Sequence, residues 1–395
     1  MSSRLVVFFA THPVQYHAPV FRALAERRPN QFVVWYGSDF SLRGYRDREF
    51  ATELAWDQPL LAGYRSEIVG DLASGGLAGP GTLRGRDFSP RLKARQVGAV
   101  VLTSLRYHFD FAAWFSALKA RVPIWMRVET TDVAQRRSGL RSFVRARLYR
   151  HVYGSLVGAY PIGEHNRSHL RAYGSPSLVL QQSPYAVPDP FAGLSRDEKT
   201  ARRMSFRATH GISPAARVVL FCGKFIEKKD PLCLLAALAR LEAAPGGGGP
   251  ETHAVFVGEG PLRPEIEAAA KKLASPTTLT GFLNQAELPA AYLASDVLVL
   301  PSRRQGETWG LVVNEALMAG CAVAVSDAVG CAVEFGHWAR CRVFPEGEPA
   351  ALTRALQDLL AFSRDFDWAR RGMAAYSIEA AADGIAAAWP TEVSL

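Results

Sequence analysis

Two glutamates eight positions apart, Glu307 and Glu315, stand in the stretch from Gln305 to Asp327, QGETWGLVVNEALMAGCAVAVSD. The run before it, Val297 to Leu300, is short, apolar and β-prone, and Pro301-Ser302 stops a strand there. Leu311 to Met318 has helical spacing with Gly320 as its stop, and Ala322 to Val325 is a further buried-type strand. The unit is strand, loop, helix, strand. Glu307 lies on the loop at the helix entrance and Glu315 about two turns further on. A helix entrance offers free backbone N–H groups and partial positive charge. The amides of Trp309, Gly310 and Leu311, with Thr308 ahead of them, suit a diphosphate. Ionised carboxylates only accept hydrogen bonds, so Glu307 suits the hydroxyls of a sugar ring and Glu315 those of a ribose. The plain alternative is a pair of ordinary helix glutamates, with Glu307 favouring the positive helix end.

A second cluster of chemistry follows the apolar run Arg217 to Cys222. There GKFIEKKD places Gly223, Lys224 and Lys229 ahead of a helix from Pro231 to Glu242. Two ammonium groups and a helix end neutralise a diphosphate leaving group; the alternative is a solvated lysine pair. The segment is not a P-loop, because G-x4-GK[ST] is absent. The run His253 to Val257 then turns at Gly258-Glu259-Gly260-Pro261, and Phe282-Leu283 follows a short strand, Thr278 to Gly281.

Together these segments resemble one known family. GETWGLVVNEALMAG followed by CAVAVSD is similar to the E-x7-E signature of retaining glycosyltransferase family 4, which has the GT-B fold. GKFIEKKD resembles the family's Gly-Arg-x4-Lys segment, with Gly223, Lys224 and Lys229 in the matching places, and VGEGP its Val-Gly-x-Gly-Pro segment. The resemblance implies that Glu307 meets the donor sugar hydroxyls, that Glu315 meets the ribose, and that Phe282 and Leu283 lie beside the base. Lysine at 224 keeps the family's charge but loses the bidentate fork of arginine.

The first half resembles the family more loosely. Leu5 to Ala10 is a buried-type strand, and His12, Gln15, Tyr16 and His17 cluster at its carboxyl end, where open α/β sheets bind ligands. Related enzymes have a Gly-Gly loop here that approaches the donor phosphate. This chain has Gln15-Tyr16 in an HPVQYH-type opening, which leaves that contact open. Val122 to Val128 is a strand leading into Glu129 (MRVETTD), and Glu129 occupies the place of a family histidine near the reacting sugar, with Arg127 two positions earlier. That pair either binds sugar hydroxyls or forms a structural ion pair. Glu307, Glu129, Arg127 and His12 are therefore the candidates for the reacting centre. Gln15, Tyr16, His17 and His108, the last on the turn before a helix ending at Ala120, are candidates on the acceptor side; a structural histidine is the alternative. Gly75-Gly76 in the irregular stretch from Ser38 to Arg95 lacks the flanking strand and helix of a phosphate loop.

The elements needed to position these groups alternate strand and helix, so the expected class is α/β. At 395 residues the chain is long enough for two cores. The resemblance implies two Rossmann-like domains with parallel sheets facing across a cleft. Residues 1–190 would form an acceptor domain, with PYAVPDP (Pro184 to Pro190) as the linker. Residues 191–372 would form a nucleotide-sugar donor domain, and a C-terminal helix in 373–395 would cross back to the first. The composition is that of a soluble globular protein, 48% hydrophobic and 21% charged. No apolar run reaches the roughly 18–20 residues that span a bilayer, and the N-terminus lacks a signal-peptide pattern. Five cysteines without CxxC or Cys/His clustering exclude a zinc site of the usual spacing and fit a reducing cytoplasm. Asp365-Phe366-Asp367 matches a DxD metal motif only formally, since no strand precedes it.

The net charge of +9 is uneven: residues 1–200 hold 27 Lys+Arg against 16 Asp+Glu, leaving 19 against 21 in the rest. A basic half suits an anionic partner. Gln135 to His151 carries six arginines, with Leu140, Phe143, Val144, Leu148 and Val152 at helical spacing. Such a helix either lies on an anionic membrane or packs its apolar face on the sheet with its arginines solvated. No nucleic-acid motif is present.

The resemblance implies retaining transfer of a sugar from a UDP- or GDP-linked donor to an acceptor hydroxyl on a glycan, lipid or small molecule. It also implies no cofactor and no metal, and a cytoplasmic protein with peripheral contact at the inner membrane face. Two other classes fit the same residues. A GT-B nucleotide-sugar epimerase would form product from donor alone, and a non-catalytic sugar-nucleotide-binding protein would form none.

Overall fold

The computed structural model describes residues 4–42, 45–46, 53–54, 59–73, 76–77, 79–134, 139–244 and 251–393. Gly75 and residues 135–138 of the arginine-rich segment lie outside them. Short apolar runs without polar alternation form strands buried on both faces, the pattern of parallel sheets covered by helices. The first sheet contains β1 (Leu5–Ala10), β2 (Phe32–Tyr36), β3 (Ser66–Ile68), β4 (Val97–Leu102), β5 (Ile124–Met126), β6 (Gly158–Ala159) and β7 (Val179–Leu180). Their order is β7-β6-β5-β4-β1-β2-β3, and all are parallel. The second contains β8 (Arg217–Cys222), β9 (Thr252–Val257), β10 (Thr277–Gly281), β11 (Val297–Leu300), β12 (Ala322–Ser326) and β13 (Cys341–Phe344). Their order is β10-β9-β8-β11-β12-β13, again all parallel. The expected α/β architecture of two Rossmann-like sheets is the one observed.

Each sheet reverses its winding once, between β1 and β4 in the first and between β8 and β11 in the second. The carboxyl ends flanking such a switch point leave a crevice that helices do not cover. In the first sheet these ends lead to His12 and to Thr103-Ser104. In the second they lead to Gly223-Lys224 and to Pro301-Ser302. Every strongly chemical segment of the sequence therefore starts from one of the two switch points.

The helices that matter to the site are α1 (Ala18–Arg27), α2 (His108–Ala120), α3 (Gly139–Tyr153), α4 (Arg196–Thr209), α5 (Leu288–Ala294), α6 (Leu311–Met318) and α7 (Ile378–Ala387). The last crosses back to the first sheet: Ile378, Ala381, Ala382 and Ile385 share one buried cluster with Val20, Phe21 and Leu24 of α1. Ser183 donates to the Ala381 carbonyl at 2.9 Å, and Tyr160 to that of Ala388 at 2.7 Å. Gly384 passes so close that an added Cβ would sit 2.0 Å from the Gln182 carbonyl oxygen.

Several boundaries differ from the sequence reading. The helix expected from Leu105 begins at His108, because the Asp110 carboxylate accepts from the Arg106 and Tyr107 amides at 2.8 and 2.9 Å and caps it there. The tail expected as one helix from Trp368 is broken, and Ser377 caps a new start by accepting from Ala380 N at 3.1 Å. The irregular region contains β3, and β13 was not anticipated. The helix α3 does not pack its whole apolar stripe on the sheet. Val152 is fully buried, but Phe143 and Val144 are each 60% exposed.

Asp296, just before β11, ties α4 to the second sheet. It accepts from Arg203 at 2.8 Å, from Arg207 at 3.0 Å and from the Val218 amide of β8 at 2.8 Å. Removing one partner of such a pair strands buried charge, which costs about 3–5 kcal/mol. Asp296→Ala is expected to lower the unfolding free energy by about that amount in urea titration, while an exposed control, Glu379→Ala, stays within about 0.5 kcal/mol of wild type.

Candidate active site

The loop from Pro301 to Gly310 carries Glu307 between the end of β11 and the start of α6. Gly310 takes φ +100°, a left-handed value, and is packed against Leu300 so closely that a Cβ would lie 2.7 Å from its side chain. Glycine is thus required for the chain to turn into α6 at this point. Glu307 is buried, and its carboxylate accepts from Lys229 Nζ and, at 3.2 Å, from Ser302 Oγ. Burial acts to raise this carboxyl, but Lys229, Lys228 and Ser302 together outweigh it and hold it below the usual carboxylate range. Lys228 donates to the Gly306 carbonyl at 3.1 Å, so adjacent lysines hold the loop and its carboxylate. Gly223 and Gly258 are also in close approach, for a Cβ on Gly258 would sit 2.0 Å from the Gly223 carbonyl oxygen. Lys224 follows Gly223 directly at the end of β8.

Glu315 faces a different, smaller cavity of about 70 Å³, shared with Tyr292, Gln285, Val187 and Gln15. Tyr292 donates to the Glu315 carboxylate at 2.5 Å. Burial nevertheless pushes the carboxyl up to about 7. Gln15 was placed by sequence on the acceptor side. Its Oε1 is buried here without a partner and its side chain lines the Glu315 cavity. Phe282 is 38% exposed and Leu283 is partly buried against the core, and neither lines this cavity.

The main cleft has a volume of about 690 Å³. The first sheet supplies most of its wall, including His12, Tyr16, His17 and Glu129, and the donor loop contributes Gly306 and Thr308. Burial lowers His12 to about 4 and His17 to about 3, so both imidazoles are neutral at neutral pH. Burial pushes the Glu129 carboxyl up, and Tyr185, Arg127 and Thr308 only partly counter it. Tyr185 donates to Glu129 Oε1, and Thr308 Oγ1 donates to Oε2 at 3.4 Å, linking the two lobes through one carboxyl.

Two sequence candidates are not in this cleft. Arg127 is turned to the segment after β7, donating to Ser183 Oγ at 3.0 Å and to the Pro184 carbonyl at 3.1 Å. It makes neither a salt bridge with Glu129 nor a wall of the cleft, because its fork satisfies carbonyls that no strand pairs. His108 is exposed on the first turn of α2 and accepts from the Gly85 amide at 3.3 Å. Trp309 is 3% exposed, so its side chain is an anchor rather than a ligand contact: Nε1 donates to Asn314 at 2.8 Å. Asn314 donates in turn to the Tyr185 carbonyl at 3.1 Å, and the Tyr185 ring stands between Tyr16 and Trp309 at 5.3 and 5.9 Å. Sequence reasoning missed Tyr185, Tyr292, Ser302 and Asn314. Tyr185 lay in a proline-rich stretch read as linker, and its only signal was an aromatic residue where a linker needs none.

Among the described residues no three His, Cys, Asp or Glu side chains gather as a metal site. Asp367 of the formal DxD motif is held by Lys199 at 3.0 Å, and Asp365 lies 3.7 Å from Arg340. All five cysteines are free and buried. No helix among the described residues is long and apolar enough to cross a membrane.

A carboxyl raised by folding opposes stability once it ionises. The Glu315 contribution is therefore absent below about pH 4.5 and grows as pH rises to about 7, then levels off. Wild type is expected to lose on the order of 3 kcal/mol relative to Glu315→Gln over that window. Carboxyl carbon NMR should show a midpoint near 7 that the variant lacks; a midpoint below 5 would contradict the burial described.

Residues 203–369 match the family model "Glycosyl transferases group 1", a stretch that contains Gly223, Lys224, Lys229, Glu307 and Glu315. The chain is 35% identical over 148 residues to a 2-deoxystreptamine N-acetyl-D-glucosaminyltransferase of Streptomyces fradiae, covering 37% of this chain and 34% of that one. It is 32% identical over 130 residues to the sulfoquinovosyl transferase SQD2 of Arabidopsis thaliana, covering 33% and 23%. The chain thus spans a quarter to a third of the length of these relatives. In fold it is similar along its length to Anabaena Alr3699/HepE, solved in complex with UDP: TM-score 0.69, 14% identity, 97% of this chain and 98% of that one. The second lobe carries a group 1 glycosyl transferase domain, and the whole chain has the two-sheet GT-B fold.

Proposed function

We propose that the protein transfers a sugar, with retention, from a nucleotide-sugar to an acceptor hydroxyl. The observation that carries this reading is the buried, ionised Glu307 clamped by Lys229 at the entrance of α6, beside a cleft of about 690 Å³. The match to a glycosyl transferase model and the UDP of the Anabaena protein support it from outside. In this reading the α6 entrance amides, Lys224 and Lys229 hold the donor diphosphate and stabilise the charge that develops as it leaves. Glu307 orients the sugar by accepting from its hydroxyls, and Glu315 does the same for the ribose. The leaving diphosphate takes the acceptor proton on the same face of the sugar, and no metal is needed because lysine and amide donors supply the positive charge. His12 and Glu129 complete the sugar pocket from the first lobe. Arg127 acts as a positioning residue through Ser183 and Pro184. The cleft leaves room for a second substrate, which transfer requires and epimerisation of the donor does not.

Peripheral contact with an anionic membrane belongs to the same proposal. It is supported by exposed Phe143, Val144 and Leu148 on α3 among arginines. Salt-sensitive sedimentation with phosphatidylglycerol vesicles, lost in Phe143→Asp/Val144→Asp, is expected; equal binding to phosphatidylcholine vesicles, or none to either, removes it.

The donor reading is tested by thermal stabilisation across UDP- and GDP-sugars without metal. One donor should raise the melting temperature, and Lys229→Ala should abolish the shift. Since that change strands Glu307, Glu307→Gln provides the second variant: it should keep the fold and lose at least about 100-fold in turnover. Full turnover by Glu307→Gln, or no shift with any donor, would sink the assignment.

A further inference from the structure

The cleft wall away from the donor loop is built from one face of α3 and the turn after β4. Arg145, Leu148, Tyr149 and Val152 line it at helical spacing, and Arg106 and Tyr107 close the other side. Each guanidinium lies on a tyrosine: Arg145 is 4.7 Å from the Tyr149 ring centroid and Arg106 is 5.5 Å from that of Tyr107. The Nε of Arg145 is buried without a hydrogen-bond partner, and among the described residues neither arginine makes a salt bridge. A partly buried cation without an anion is costly unless a ligand supplies one. The one carboxyl lining the cleft, Glu129, is already engaged by Tyr185 and Thr308. The nearby start of α2 is not available to an anion either, since Asp110 caps the Arg106 and Tyr107 amides. The positive character of this wall therefore rests on two guanidinium forks, whose geometry matches phosphate oxygens.

We propose that the acceptor is a phosphorylated polyol, its phosphate held between Arg145 and Arg106 and its ring laid against Tyr107 and Tyr149. This places the phosphate on the far side of the cleft and turns a ring hydroxyl towards Glu129 and the donor loop. The inference deepens the transfer reading and rests on it. Its chemistry is shared by a free sugar phosphate and by the glycerol phosphate headgroup of a lipid.

Calorimetry on the full chain with UDP present, using glucose 6-phosphate and glucose as soluble probes, tests the first source. Sedimentation with phosphatidylglycerol against phosphatidylcholine vesicles tests the second. The expected result is at least tenfold tighter binding of the phosphorylated member in one arm, reduced at least tenfold by Arg145→Ala and by Arg106→Ala, and weakened by salt. Arg106 is exposed, so its variant serves if Arg145→Ala does not fold. UDP affinity should be unchanged in both variants. Equal affinity for phosphorylated and unphosphorylated probes in both arms, or a preference that survives Arg106→Ala/Arg145→Ala, overturns the proposal. Failure of the wild type to bind UDP would instead count against the transfer reading.

Discussion

An ionised carboxylate inside a protein has to be matched by a cation, and the Glu307–Lys229 pair is where this chain meets that requirement. The pair fixes more than its own geometry. Lys229 hangs from the segment after β8 and Glu307 from the loop after β11, the two strands that flank the winding reversal of the second sheet. Holding them together closes the crevice on one side and aims the entrance of α6 into it. Gly310, Lys228 and Ser302 then follow as necessities: a turn only glycine tolerates, a second lysine for the loop carbonyl, and a hydroxyl for the remaining lone pair.

The lobes meet through groups that are neither donor nor acceptor machinery. Tyr185 stacks edgewise between Tyr16 and Trp309, donates to Glu129 and receives Asn314 on its carbonyl. The Gly306 amide donates to the Ala134 carbonyl at 2.6 Å, and Arg304 to that of Val133 at 3.1 Å. These contacts hold the donor loop against the first lobe without any ligand. Motion between the lobes must therefore break a small, defined set of polar bonds rather than a broad apolar interface.

The strands and the segment from Val297 to Val325 were legible because uninterrupted apolar runs and glycine stops leave few alternatives. The placement of Glu307, Glu315 and Lys229 followed from those elements. What spacing does not encode is direction. Gln15 and Tyr16 are neighbours, yet one faces the Glu315 cavity and the other the main cleft. Arg127 and Glu129 leave the same strand, yet the arginine is drawn to carbonyls over 50 positions away in sequence. The apolar stripe of the arginine-rich segment predicted its helix but not which residues the sheet would cover. Each of these depends on partners that only the tertiary fold brings close.

The last ordered helix has a consequence for how the chain comes into being. Helix α7 and Trp389 complete the core around α1, β1 and β2, and Trp389 is fully buried there. The lobe made first by the ribosome is thus finished last. Its opening strands must wait, with Phe8, Phe21 and Phe32 incompletely covered, until the second lobe has been synthesised and has had time to fold. The order of assembly runs opposite to the order of translation, and the second lobe is the one free to fold as it emerges.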